Sequence, residues 1–220
     1  MAKATKIGRT KLIDREENQR DARLFIIATE GRETEKQYFS LFHSPRIKIE
    51  VLATGEDNQS APQYVLTRLN KFVEKYALSS DDVLCIMFDV DRWTKKELSA
   101  ICKEAKQKKY QLLVSNPCFE VWLYLHLDEL NITGDRCEVF EKEIRHRLGS
   151  YNKSNLDLKF FQDCIEVAVK RAKDLHPSAR QYWPNTPGSH VYRIVEIILQ
   201  ALQSETGDAE QLEGVSDDVQ

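Results

Sequence analysis

Apolar and polar positions change period several times along the chain, and the changes mark the elements. LFIIAT, residues 24–29, is an unbroken apolar run too short for a helix, as in a strand covered on both faces. ETEKQYFSLFHS then carries Tyr38, Phe39, Leu41 and Phe42 at helical spacing. RIKIEVLAT alternates charged and apolar, mostly β-branched residues, the pattern of a less buried strand. After the polar link GEDNQSAP, the segment PQYVLTRLNKFVEKYA reads as a helix with Pro62 in its first turn. DDVLCIMFDVDRW holds a third, wholly apolar strand over residues 83–88, and TKKELSAICKEAKQKK an exposed amphipathic helix. YQLLVSNP gives a fourth strand and CFEVWLYLHL a mostly apolar helix. Strand and helix alternating four times predict a small open, mainly parallel α/β sheet of about four strands, with right-handed crossovers and flanking helices.

From about Asn131 the alternation stops. CEVFEKEIRHRLGSYNK, LKFFQDCIEVAVKRAKDL and SHVYRIVEIILQAL are helical stripes joined by loops with Gly, Asn and Pro. The expected organisation is a flexible segment over 1–22, an α/β core over 23–130, a C-terminal helical extension packed on it over 131–203, and a disordered acidic tail over 204–220. A chain of 220 residues with 41% hydrophobic composition suffices for one sizeable core. A net charge of −3 neither requires nor excludes a nucleic-acid partner, because a local basic patch can coexist with a near-neutral total. No apolar run is long enough for a bilayer and no charged-then-apolar leader opens the chain, so a cytoplasmic protein with no membrane partner is expected. Cys85, Cys102, Cys118, Cys137 and Cys164 include no C-x-x-C pair, which argues against a zinc knuckle or redox motif. They read as reduced core thiols.

The chemistry lies at strand ends. Ligands of open α/β sheets sit at the carboxyl ends of the strands, and there the sequence places Glu30 after the first strand and Asp89 and Asp91 after the third. Carboxylates converging on one rim suit a hard cation such as Mg²⁺ or Mn²⁺, which takes oxygen ligands. Glu30 would be a third ligand or a general acid/base. Gly31 would relax the turn and let a phosphate approach the backbone, and the helix starting near Glu33 would present its N-terminus, although Glu33 and Glu35 oppose an anion there. The plainer alternative is that such acidic residues cap helices, Asp91 the one beginning at WTKKEL.

Glu120 lies one turn into an apolar helix and either faces the acidic cluster or satisfies N–H groups of its own first turn. Arg92 could contact a phosphate or form a surface ion pair. Lys153 could stabilise charge on a phosphorane or be a solvated loop lysine. Arg145, Arg147, Arg171 and Lys173 could contact phosphates or line solvated helix faces. His126 reads as a satisfied core or cap residue, and His190 and Tyr192 as the start of a packed helix.

The order of Glu-Gly after the first strand and Asp-x-Asp after the third resembles the Toprim fold of topoisomerases, primases and overcoming-lysogenization-defect nucleases. ATEGRETEKQYF, FDVDRW, SNPCFEVWLYLH and the weaker YNK resemble more closely the RloB-like (AbiLii-like) family of bacterial phage-defence proteins, over residues 24–202. The resemblance implies a Toprim-like nuclease cutting RNA or DNA, with Mg²⁺ (or Mn²⁺) on Glu30, Asp89 and Asp91, and an AAA-type ATPase encoded nearby. It leaves a homo-oligomer open. A haloacid-dehalogenase-like phosphatase is excluded by order, since its nucleophilic aspartate ends the first strand of the core. A dinucleotide-binding module is excluded because no G-x-G-x-x-G follows the first strand. A non-catalytic nucleotide-binding or sensor subunit with the same fold is the remaining alternative.

Overall fold

The computed structural model describes residues 22–55, 59–132, 134–176 and 181–213. The segment 1–21 and the end of the acidic tail, 214–220, expected to be flexible, lie outside them. Five strands form one sheet: β1 (Arg23–Thr29), β2 (Ile47–Leu52), β3 (Val83–Asp89), β4 (Gln111–Asn116) and β5 (Gly188–Ser189), in the order β2-β1-β3-β4-β5. The first four are parallel, and β5 adds antiparallel to β4. β5 is two residues long, too short for any periodic signal. The flanking helices are α1 (Thr34–Phe39), α2 (Pro62–Lys75), α3 (Lys95–Gln107), α4 (Glu120–Leu127), α5 (Cys137–Leu148), α6 (Lys159–Gln162), α7 (Ile165–Leu175) and α8 (Tyr192–Glu213). None among the described residues is long and apolar enough to cross a membrane.

Strand order fixes where the site can be. The chain runs from β1 outward to β2, then crosses back to place β3 on the other side of β1. The crevice between the carboxyl ends of β1 and β3 is therefore the switch point of the sheet, where such folds bind ligands. Successive side chains of a strand point to opposite faces, and the two cores obey this. Phe25, Ile27, Cys85 and Met87 join the layer of α1, α4, α5, α7 and α8, while Leu24, Ile26, Ala28, Ile86 and Phe88 join that of α2 and α3. Both faces of β1 are buried, which is why its residues 24–28, LFIIA, include no polar position.

The helix α4 is apolar on all sides because it is buried on all sides: Val121, Trp122, Leu123, Tyr124 and Leu125 are fully inaccessible. The helices α5, α6 and α7 enclose it. Its one histidine, His126, is a satisfied core residue: Nε2 lies 3.1 Å from the Tyr38 hydroxyl and Nδ1 2.9 Å from the Trp122 carbonyl. Three sequence expectations are corrected. The segment LKFFQDCIEVAVKRAKDL is two helices, α6 and α7, because the chain turns at Asp163 and Cys164. The final helix continues past Gln203 to Glu213, where disorder was expected. DAEQLE is rich in helix formers and extends an anchored helix without an apolar stripe. Cys118 and Cys137 form a disulfide with their Cα atoms 5.8 Å apart, so the thiols are not all free. A separation of 19 residues gives no motif; the turn before α4 and the start of α5 bring the pair together.

Candidate functional site

Each sequence-predicted site residue lines one cleft of about 360 Å³ at the switch point: Glu30, Gly31, Asp89, Asp91, Arg92, Glu120 and Lys153. The bland roles are filled by other groups. Thr94, not Asp91, caps α3, in a capping box in which its side chain accepts from Glu97 N–H. Neither α1 nor α4 has a side-chain cap, so Glu30 and Glu120 do not serve that purpose.

The β1–β3 pairing positions the first two carboxylates. The Glu30 N–H donates to the Met87 carbonyl at 3.0 Å, and the Asp89 N–H donates to Glu30 Oε2 at 3.1 Å. The Glu30 side chain thus lies across the last residue of β3. Arg68, on α2, braces the strand ends beneath it by donating to the Thr29 and Leu52 carbonyls at 2.9 and 3.1 Å, and to Thr54 Oγ1 and the Gln59 carbonyl. Thr54 in turn donates to the Glu30 carbonyl at 2.7 Å. Arg68→Met is expected to cost roughly 2 kcal/mol in chemical denaturation, because two half-buried strand-end carbonyls lose a charged donor. The Asp-x-Asp turn is held from the other side, as the Val90 and Asp91 N–H groups both donate to the Pro117 carbonyl after the cis Asn116–Pro117 bond.

Sequence reading missed Glu35. It sits in the first turn of α1 yet is buried, with its carboxylate in the space a Cβ at position 31 would take. Gly31 thus leaves room for the Glu35 carboxylate, which a larger residue would have to displace. The signal available was a glycine four residues before a glutamate that looked like an ordinary helix-surface charge. Tyr151 and Glu141 were also missed. The Tyr151 hydroxyl donates to Glu120 Oε1 at 3.0 Å, and Lys153 Nζ lies 2.7 Å from the same oxygen and 2.8 Å from Glu141 Oε1. The loop carrying Tyr151 and Lys153 arises because Gly149, at φ 74°, ends α5 in a left-handed turn. Gln37 then pins the loop to α1, donating to the Lys153 carbonyl at 3.0 Å and accepting from the Leu156 N–H at 2.7 Å.

Burial of several carboxyls, reinforced by their like charges, dominates the electrostatics. Burial first, then neighbouring Asp91, push the Glu30 carboxyl up to about 7 despite the Asp89 N–H. Burial also pushes Glu35 to about 7, with Glu120 and Glu30 adding to the shift. Asp89 is raised well above the ordinary aspartate range by burial and by Glu30, Glu120 and Glu35. Asp91 is raised as well, chiefly by burial, with Arg92 opposing at 3.5 Å. Lys153 resists the burial that disfavours its charge, because Glu120 and Glu141 hold it protonated above the usual lysine range. Five carboxylates with one inward lysine form an all-oxygen donor set short of positive charge. That fits a hard divalent cation, and Glu30, Asp89 and Asp91 all line the cleft.

Three residues of the other basic runs have partners within the fold. Arg171 donates to the Leu125 and His126 carbonyls at the end of α4, at 2.8 and 3.3 Å. Arg147 pairs with Asp128 and Glu143 and covers the Tyr124 ring. Lys173 pairs with Glu196. These pairings account for the expected phosphate contacts of Arg147, Arg171 and Lys173 in another way.

No curated protein and no solved structure matches the chain at a significant level. The family model described as RloB-like protein matches residues 25–198, a span that takes in most of β1, the acidic cleft and the start of α8. With the match covering most of the sequence and every element that builds the site, the chain belongs to the RloB-like family.

Proposed function

We propose that the protein is a Toprim-like, metal-dependent phosphodiesterase that cuts RNA or DNA in antiphage defence. The observation that carries this reading is the convergence at the sheet's switch point of Glu30, Asp89, Asp91, Glu35 and Glu120, none of which caps a helix. Membership of the RloB-like family supports a defence-associated role and a partner ATPase of the AAA type encoded nearby, which would sense infection or restrain the nuclease.

Glu30, Asp89 and Asp91 would hold Mg²⁺ or Mn²⁺. Bound there, the ion would polarise a phosphodiester and make a water molecule acidic enough to act as a nucleophile near neutral pH. The protein's own groups account for the rest. Glu35, at about 7, exchanges its proton readily near neutrality and suits a general acid or base. Lys153 is half-exposed and tethered by Glu120 and Glu141, so its ammonium can turn toward a phosphate oxygen and balance charge that grows during displacement. Arg92, with 73% of its side chain exposed at the rim, is placed to orient the incoming phosphate. Tyr151 fixes Glu120 so that Lys153 keeps one anchor.

The test is incubation of the purified protein with tRNA, single-stranded DNA and plasmid, with Mg²⁺, Mn²⁺ or EDTA, alone and with the neighbouring ATPase. Metal-dependent cleavage that disappears in Asp89→Asn is expected. Absence of cleavage in every mixture, with nucleic-acid or nucleotide binding intact, would make the protein a sensor subunit instead.

A further inference from the structure

The disulfide lies beside the acidic cleft without belonging to the proposed chemistry. Cys118 is buried, in the turn between β4 and α4 and two residues before Glu120. Cys137 is the first residue of α5. The two sulfurs and a carboxylate oxygen of Glu120 all lie within 4.8 Å of one another. The contacts of Glu120 with Tyr151 and Lys153 both fall on Oε1, which leaves Oε2 as its oxygen for another partner. Cys137 Sγ is also 3.6 Å from Asp91 Oδ2, a contact that becomes a hydrogen bond only when the sulfur carries a proton.

Two thiols and a carboxylate in this space form a donor set of a different kind from the rim. Thiolates select soft or borderline cations, and Zn²⁺ takes sulfur at about 2.3 Å and carboxylate oxygen at about 2.0–2.2 Å in tetrahedral array. Sulfurs in such an array stand roughly 3.8 Å apart, so the S–S bond must first be broken. We propose that, once reduced, Cys118, Cys137 and Glu120 form a thiolate site for a soft divalent cation of the Zn²⁺ type, separate from the hard-cation rim of Glu30, Asp89 and Asp91.

The opening step balances. A dithiol reductant breaks the S–S bond, each cysteine sulfur gains one electron and one proton, and the reductant leaves as its own disulfide. Zn²⁺ then displaces the two thiol protons to solvent. Because Glu120 also anchors Lys153, occupation would divide its charge between the ion and the ammonium and slow any reaction at the rim, a consequence that rests on the phosphodiesterase reading while the site itself does not.

Titration of the reduced full-length protein with Co²⁺ tests the site without an activity assay. Reduced wild type is expected to develop thiolate-to-metal charge-transfer absorption that saturates near one equivalent and is displaced by Zn²⁺. Oxidised wild type, Cys118→Ser and Cys137→Ser should lack the two-thiolate spectrum. Asp89→Asn, which removes a rim ligand, should keep it. The comparison of oxidised with reduced wild type needs no variant, so misfolding of a serine variant does not decide the result. No charge-transfer band in the reduced protein at saturating Co²⁺, or an unchanged band in Cys137→Ser, would overturn the proposal. A band in a protein that cuts no nucleic acid would uphold it and fault only the phosphodiesterase reading.

Discussion

Glu30→Gln is expected to make the metal-free protein more stable and the enzyme at least about 100-fold slower, an opposition of signs that few single substitutions produce. The stability arm follows from the buried carboxyl. Its folded-state pKa is raised from 4.5 to about 7. A group with a raised folded pKa contributes stability that is full below the unfolded value and lost as pH rises through the folded one. At pH 8 the ionised Glu30 therefore costs the fold up to about 3 kcal/mol, from roughly 1.4 kcal/mol per pKa unit. Glutamine removes that cost, and its carbonyl oxygen can still accept from the Asp89 N–H. Thermal melts in EDTA at pH 8 should rise by several degrees. The activity arm follows because glutamine lacks the charge that binds a hard cation. A variant with unchanged melting temperature and full cleavage would show that Glu30 is neither strained nor a ligand.

The second large effect is linkage between protons and metal. Glu30 and Glu35 both titrate near 7 in the folded protein, so protons compete with a divalent cation below that pH. Stabilisation by 10 mM Mg²⁺ should be negligible near pH 5 and grow through pH 7 to 8, reaching roughly 2.7 kcal/mol if the ion is then at a hundredfold excess over its dissociation constant. Without metal, stability should fall at both ends. On the acid side, burial lowers His126 to about 4 from 6.5. A depressed pKa gives stability that is present above 6.5 and lost as pH falls toward 4. On the alkaline side the rim carboxylates ionise against one another. Differential scanning fluorimetry across pH 5–8 with Mg²⁺ and with EDTA measures both limbs, and a pH-independent Mg²⁺ shift would contradict the linkage.

The parts of this site that were legible in the sequence share one physical property, their place at the end of a strongly apolar strand. LFIIAT and VLCIMF could only be buried strands, so Glu30, Asp89 and Asp91 had to emerge at one edge of the sheet if the pairing was parallel. Glu120 was legible because a carboxylate amid Phe119, Val121 and Trp122 must have a partner. Its partners were not legible. Lys153 was weighed as a charge stabiliser, but its tether to Glu120 and the hydroxyl of Tyr151 depend on Gly149 turning the chain and on Gln37 holding the loop. The Gln37 and Glu120 contacts join positions 116 and 31 residues apart and leave no periodic trace. Glu35 was hidden for the opposite reason, since its spacing fits an exposed helical charge and only tertiary burial makes it otherwise. The Cys118–Cys137 pair and the two-residue β5 have the same origin in turns whose direction no local pattern specifies.

The central claim is that Glu30, Asp89 and Asp91 share a hard divalent cation. The most direct measurement is anomalous diffraction from crystals equilibrated with Mn²⁺ at pH 8. The account predicts an anomalous peak about 2.2 Å from carboxylate oxygens of at least two of these residues, absent from Glu30→Gln crystals. A cleft without any peak at millimolar Mn²⁺, or a peak bound only by other residues, would contradict it.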